Sequence, residues 1–311
     1  MRSLFRSSAR SGKLAMAAGA DRIDLVQVER RRDRKPRVVS ADSHAFAGDL
    51  PATLATLKKQ RGLGKYHCTM LLPHGKYQLV QVAAPDGPVD ERAEALRWSL
   101  KDMVDFPVDN ASIDVLDIPS DGRGAAQVFA AIAPEAVMAP MVRAFQAAKV
   151  TLDVIDLREL SQRNLATLFE EENRGLATLV FDDDEGLLTF TYHGDLYVAR
   201  HIEISGRQLA SAQGERRDRM YERVALDLQR SLDNFDRSMS YIPISGLLVG
   251  PVPGAEGFIE YLRSNLLLPV EAMDLASVLD LSATPALLDP LRQAQCLRAL
   301  GAALREEPAV A

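Results

Sequence analysis

The stretch ATLVFDDDEGLLTFTYHGDLYVARHIEISG, residues 177–206, decides the fold. Leu179, Val180 and Phe181 form the apolar run of a buried strand. Asp182-Asp183-Asp184-Glu185-Gly186 is an acidic turn, after which residues 187–192 resume a β-rich run. His193-Gly194-Asp195 is a polar turn, and residues 196–204 read as a third strand. Strands bounded by Gly and Asp turns predict an antiparallel meander. Gly206 then leads into a long polar segment of helical character.

The same layout stands near the start. Residues 14–28, LAMAAGADRIDLVQV, read as a hairpin turning at Gly19 and Asp21, with a third strand at 37–40. The repeat is one of layout, not of residues. A helix is expected over 51–61, where Leu54 and Leu57 are helically spaced and Gly62 stops it, followed by strands at 68–72 and 77–82. A helix reaching residue 104 carries Ala93, Leu96, Leu100 and Met103 as its buried stripe. Trp98 lies off that stripe; it either anchors a partner or packs under the next loop. Phe106 precedes Pro107 and is biased to extended geometry, which ends the helix. Strands at 111–118 and 127–133 follow, then a helix to residue 148 in which Pro140 predicts a kink or break. A strand at 150–157 and a helix at 158–172 lead to Asn173-Arg174-Gly175, the expected domain boundary. Beyond the meander come a helix at 216–237, a strand at 245–252, a helix at 258–265, a strand at 267–273 and a last helix at 289–305.

The chain of 311 residues is long enough for two cores. Apolar residues make up 47% and charged residues 26%, as in ordinary globular proteins, and the net charge of -6 argues against bulk attraction to nucleic acid. No apolar run approaches the roughly 18–20 residues of a membrane span, and no secretory apolar segment follows the start. The cytoplasm is therefore the expected compartment. Residues 1–13 are basic and serine-rich, readable as a surface anchor or a frayed terminus. Cys68 and Cys296 fit no CxxC pattern, and His44, His67, His74, His193 and His201 are scattered, so no metal site is expected.

In the order of its elements, the chain resembles the PilM family of type IV pilus assembly proteins, relatives of the cell-division actin homologue FtsA. More narrowly it resembles the MshI branch of mannose-sensitive haemagglutinin pilus systems. The resemblance covers nearly the whole chain. It is carried by Gly19, Ile23 and Val26 in the first hairpin, and by Ala95-Leu96-Arg97-Trp98 running into Asp105-Phe106-Pro107-Val108-Asp109. Residues 153–165, Arg200 with Gly206, and Arg230-Ser231-Leu232-Asp233 complete it. It implies an α/β, two-lobed, actin-like (ribonuclease H-like) fold with duplicated mixed-sheet domains. The lobes are expected at 14–172, with an inserted subdomain near 86–133, and at 173–288; residues 289–311 should return to the first lobe. It also implies a nucleotide cleft whose residual candidates are Gly19, Asp21, Asp182, Asp183, Gly186, Gly250 and Gly254.

The nucleotide motifs depart from the family pattern. Ala17 stands where an Asp belongs, Asp184 where a glycine amide would approach phosphate, and Pro251 follows Gly250 in place of a second glycine. Three consecutive acids with no Lys or Arg nearby in sequence should repel a triphosphate, by about 4 kcal/mol per pair at about 4 Å and an effective dielectric near 20. The expectation is an adaptor with no catalytic residues and no required cofactor, ATP and Mg binding weakly if at all. Its partner would be the cytoplasmic tail of a PilN-like single-pass inner-membrane protein, bordered by Trp98, Phe106 and Pro107. The competing classes are a working actin-like ATPase and a sugar-kinase-like phosphotransferase, with Asp182 or Asp183 as base; against that role stands a solvated acidic turn.

Overall fold

The computed structural model describes residues 12–31, 34–122 and 125–306, so the basic arm at 1–13 lies outside the described residues apart from Gly12 and Lys13. β1 (Gly12–Ala18), β2 (Arg22–Arg31) and β3 (Arg34–Ala45) form an antiparallel meander. α1 (Leu50–Arg61) starts at Asp49, whose carboxylate accepts the Ala52 N–H at 3.0 Å, and stops where Gly62 turns left-handed. β4 (Tyr66–Leu71) returns parallel to β1.

The chain then leaves this sheet. β5 (Gln78–Ala83), α2 (Arg92–Leu100), β6 (Ala111–Ile118) and β7 (Gln127–Pro134) build a separate three-stranded sheet, ordered β5-β7-β6. Leu96 and Leu100 seat α2 on Val128, Ala130 and Ile132. The insertion therefore begins at Gln78, ahead of residue 86, because β5 pairs with β7 and not with the first sheet. α3 (Glu135–Ala148) runs through Pro140 without a break. Burial of Met141, Ala144 and Phe145 on one face outweighs the one backbone bond that Pro140 cannot make. β8 (Thr151–Asp156) closes the first sheet in the order β3-β2-β1-β4-β8.

α4 (Arg158–Ala166) crosses to the second half. There β9 (Gly175–Phe181), β10 (Gly186–Tyr192) and β11 (Asp195–Ile202) form the second meander. α5 (Gly206–Ser211), α6 (Gly214–Ser238), β12 (Ile244–Val249), α7 (Phe258–Asn265) and β13 (Val270–Ala272) follow. The order β11-β10-β9-β12-β13, with β12 parallel to both neighbours, repeats the first sheet. α6 buries Tyr221, Val224, Leu228 and Phe235 at helical spacing, and the Phe235 ring stacks 4.5 Å from Phe190.

The return to the first lobe starts before residue 289. After α8 (Leu275–Val278), the Asp280 N–H donates to the Pro36 carbonyl at 2.9 Å, and the Val38 N–H donates to the Asp280 carbonyl at 3.0 Å. Leu279, Leu281 and Leu287 share an apolar cluster with Val26 and Val38. α9 (Pro290–Ala303) then lies on β1, β2 and β4, and α4 lies on β9, β10 and β11. The two helices touch each other, so together they form the layer between the sheets. They meet so closely at Gly301 that a Cβ there would fall 2.1 Å from the Ser161 carbonyl. α4 is polar in sequence yet almost wholly buried. Its Gln162 amide donates to the Thr178 and Leu187 carbonyls, and its Asn164 amide to that of Gly301, which removes the cost of burying them.

Candidate functional site

The two meanders bring their first turns to one cleft. Its cavity of about 190 Å³ is lined by Arg22, Asp182, Asp183, Gly206, Arg207, Pro251 and Arg298, among others. Pockets that enclose drug-sized ligands run to roughly 300–1,000 Å³.

The second turn is not the solvated acidic tip that its composition suggests. Glu185 is buried, and Asp182 and Asp183 are partly so; only Asp184 is exposed. Asp182 closes the turn on itself, since its Oδ1 accepts the N–H of Asp184 at 2.9 Å and that of Glu185 at 3.1 Å. Its other oxygen lies 3.1 Å from Arg158 Nη2 and 3.6 Å from Arg298 Nη1. Asp183 sits 3.5 Å from Arg22 Nη1 and 3.1 Å from Arg207 Nε. The side chains of Arg158 and Asp182 are only 6% and 8% exposed. Burial pushes the Asp182 pKa up, but Arg158, Arg298 and the two turn amides outweigh it and hold the carboxyl below its usual range. The repulsion expected from three acids is therefore offset at two of them: arginines from β2, α4, α5 and α9 face Asp182 and Asp183, and none of these lies beside the turn in sequence.

Glu185 leads into a second cluster on the other side of Arg158. Its Oε1 takes Arg158 Nη1 at 2.5 Å, His201 Nδ1 at 2.6 Å and His74 Nδ1 at 3.2 Å. His201 Nε2 reaches the buried Glu159 at 3.3 Å, and Tyr77 Oη donates to Glu159 at 2.6 Å. Hydrogen bonds to Glu159 and Glu185 carry the His201 pKa up to about 9, so the ring is charged at neutral pH. The five histidines are isolated in sequence, yet the fold gathers two of them here. Even so, no group of three or more His, Cys, Asp or Glu suited to a metal ion occurs among the described residues.

Asp182 and Asp183 line the cleft. Gly19 does not line it but lies close to a residue that does, since an added Cβ would stand 3.6 Å from Arg298 Nη2. Asp21 points outward, its side chain 77% exposed. Gly186 is not in the turn but opens β10, where a Cβ would come within 2.6 Å of the Phe181 ring; packing requires that glycine. Gly250 follows β12 beside Val180, and Gly254 packs on Ala210. Ala17 is buried in β1. Trp98 is 78% exposed, so it does not pack under the loop, whereas Phe106 packs partly into the small subdomain's core. Sequence reading missed Arg22, Arg158, His201, Arg207 and Arg298, for which no local pattern gives a signal.

An actin-like phosphate turn offers free amides to the nucleotide. Here the amides of Asp184 and Glu185 are already engaged by Asp182, and Pro251 carries no N–H to offer. These residues do not fit a triphosphate held in that way.

No family model and no curated protein sequence matches the chain. Solved structures do. One is described as the PilM-PilN type IV pilus biogenesis complex, with a TM-score of 0.74, 20% identity, and coverage of 95% of this chain and 98% of that one. Another is a protein from Bacteroides thetaiotaomicron with an actin-like ATPase fold and unknown function, with a TM-score of 0.51, 10% identity, and coverage of 93% and 100%. The chain has the two-lobed actin-like fold.

Proposed function

We propose that this chain is a cytoplasmic adaptor of type IV pilus biogenesis, of the MshI-like, FtsA-related branch. It takes the cytoplasmic tail of a PilN-like single-pass inner-membrane protein on its first lobe and reaches the membrane through that partner. The carrying observation is the end-to-end likeness to the protein in the PilM-PilN complex. No helix among the described residues is long and apolar enough to cross a membrane itself. The small subdomain suits an extended peptide: β5 is an edge strand, Trp98 and Pro107 are exposed, and Phe106 is half-buried. The cleft is read as a degenerate nucleotide site without catalysis, in keeping with the engaged turn amides.

The test is capture of the chain by the cytoplasmic peptide of the adjacent inner-membrane assembly protein. Failure of the purified proteins to associate would overturn the adaptor. Calorimetry with Mg-ATP is expected to give weak binding or none. Micromolar affinity would favour the second reading, an ATP-binding actin-like protein, for which Arg22, Arg207 and Arg298 around the cleft speak.

A further inference from the structure

α6 carries six arginines and six acids, and the helix sorts them by face. Tyr221, Val224, Leu228 and Phe235 turn one side into the core of the second lobe. On the side away from them, steps of three, four and seven residues line up Arg216, Arg219, Arg223, Arg230 and Arg237, with Leu226 in their midst. All six are exposed. At 1.5 Å per residue this crest runs for about 32 Å. Glu215, Glu222 and Asp233 lie on one shoulder and Asp227 on the other, while Asp218 and Asp236 lie further round; helical spacing puts no acid on the crest itself.

The charges of the crest are largely unspent on the protein. Arg216, Arg219 and Arg230 make no hydrogen bond or ion pair among the described residues. Arg223 pairs with Glu203 at 3.3 Å, with both side chains exposed, a contact that water and salt weaken. Arg237 engages only its Nε, which donates to the Asp233 carbonyl at 3.0 Å. Arg216 and Arg219 are three residues apart, and Arg219 and Arg223 four, spacings at which like charges destabilise a helix. An anion from outside the chain would relieve that repulsion.

Five guanidinium groups in a row suit phosphate. Two leucines narrow the choice among phosphate-bearing partners. Leu226 is 43% exposed on the crest, and Leu267 is fully exposed on the loop after α7. The Gln229 amide holds that loop to α6 by donating to the Asn265 carbonyl at 2.9 Å. A nucleic-acid backbone offers leucine nothing, whereas a bilayer surface takes arginine at its phosphates and leucine at the acyl boundary. We infer that the crest of α6 lies on an anionic phospholipid leaflet, with its five arginines at the lipid phosphates and Leu226 dipping beneath them. The net charge of -6 does not prevent this, because charges more than about 10 Å away are screened. The contact is additional to the one made through a membrane partner and does not depend on the adaptor reading.

The test is co-sedimentation of the full chain with phosphatidylglycerol-containing vesicles and with vesicles of phosphatidylcholine alone. Binding is expected to the first only, and to weaken as salt rises from about 50 to about 500 mM. The double variant Arg219→Glu, Arg230→Glu changes two exposed side chains without partners. Checked for folding by circular dichroism, it should bind about tenfold more weakly or worse. Leu226→Asn should weaken vesicle binding and leave any binding of duplex DNA unchanged. No binding to the anionic vesicles, equal binding to both kinds, or full competition by duplex DNA at equal phosphate would overturn the inference. Residues 1–13 are also basic, so an unaffected double variant would assign lipid binding to them and overturn it too. Capture of the partner's peptide tail is measured without vesicles, so loss of either result leaves the other intact.

Discussion

The first turns of the two meanders occupy the same place in a duplicated sheet and are built in opposite ways. Between β1 and β2 the chain reverses tightly: the Gly19 N–H donates to the Arg22 carbonyl at 2.7 Å, and Asp21 projects into solvent. Between β9 and β10 the turn is closed by its own Asp182 and tied to arginines on β2, α4, α5 and α9. One turn is a connection and the other is a hub. Arg22, at the start of β2 just past the first turn, reaches Asp183 in the second directly. Duplication of a sheet therefore copies the place of a turn without copying its work.

The contrast is tested most severely at Arg158. Arg158→Ala leaves Asp182 and Glu185 short of a buried counter-ion and should cost about 3–5 kcal/mol, measured by urea denaturation. A loss below about 1 kcal/mol would mean that the hub contributes no more than a surface ion pair.

A smaller loss separates the glycines. Gly186→Ala drives a methyl into the Phe181 ring and should cost about 1–3 kcal/mol. Gly19→Ala meets only ordinary contacts at 3.6 Å and should leave stability within about 0.5 kcal/mol. Equal costs would erase the distinction between a packed position and a merely convenient one.

Titration sharpens the comparison further. The folded His201 pKa of about 9 lies above the unfolded value of about 6.5. Its contribution is complete below pH about 6.5 and disappears as pH climbs through 9. Melting temperature should therefore fall between pH 7 and 10 by more in the wild type than in His201→Gln. On the acid side Asp182 and Glu185 are both held below the usual carboxylate range, so their contribution is lost as pH drops below about 4. Parallel pH curves for the two proteins would remove His201 from the network. The least effect belongs to the first turn, where Asp21→Ala should change stability by no more than about 0.5 kcal/mol.

The meander at 177–206 was legible because strands and turns are local: apolar runs of strand length, broken by Gly and Asp, leave few alternatives. The duplicated layout was legible for the same reason. The edges of the insertion were not. The alternation in β5 states that it is a strand but not which sheet completes it, and pairing with β7 lies about fifty residues away. Trp98 was legible as an off-stripe residue, but whether a loop covered it was not.

Sequence alone determined most of the elements, their order and the actin-like layout, and it singled out the acidic turn. It misjudged the turn's electrostatics, because it counted charges along the chain. Tertiary structure decided that Arg22, Arg158, Arg207 and Arg298 surround those acids, that His74 and His201 meet at Glu185, and that polar α4 is core. Coulomb energies and desolvation depend on distance and burial in space, and a chain that returns through α9 brings into contact charges more than a hundred residues apart.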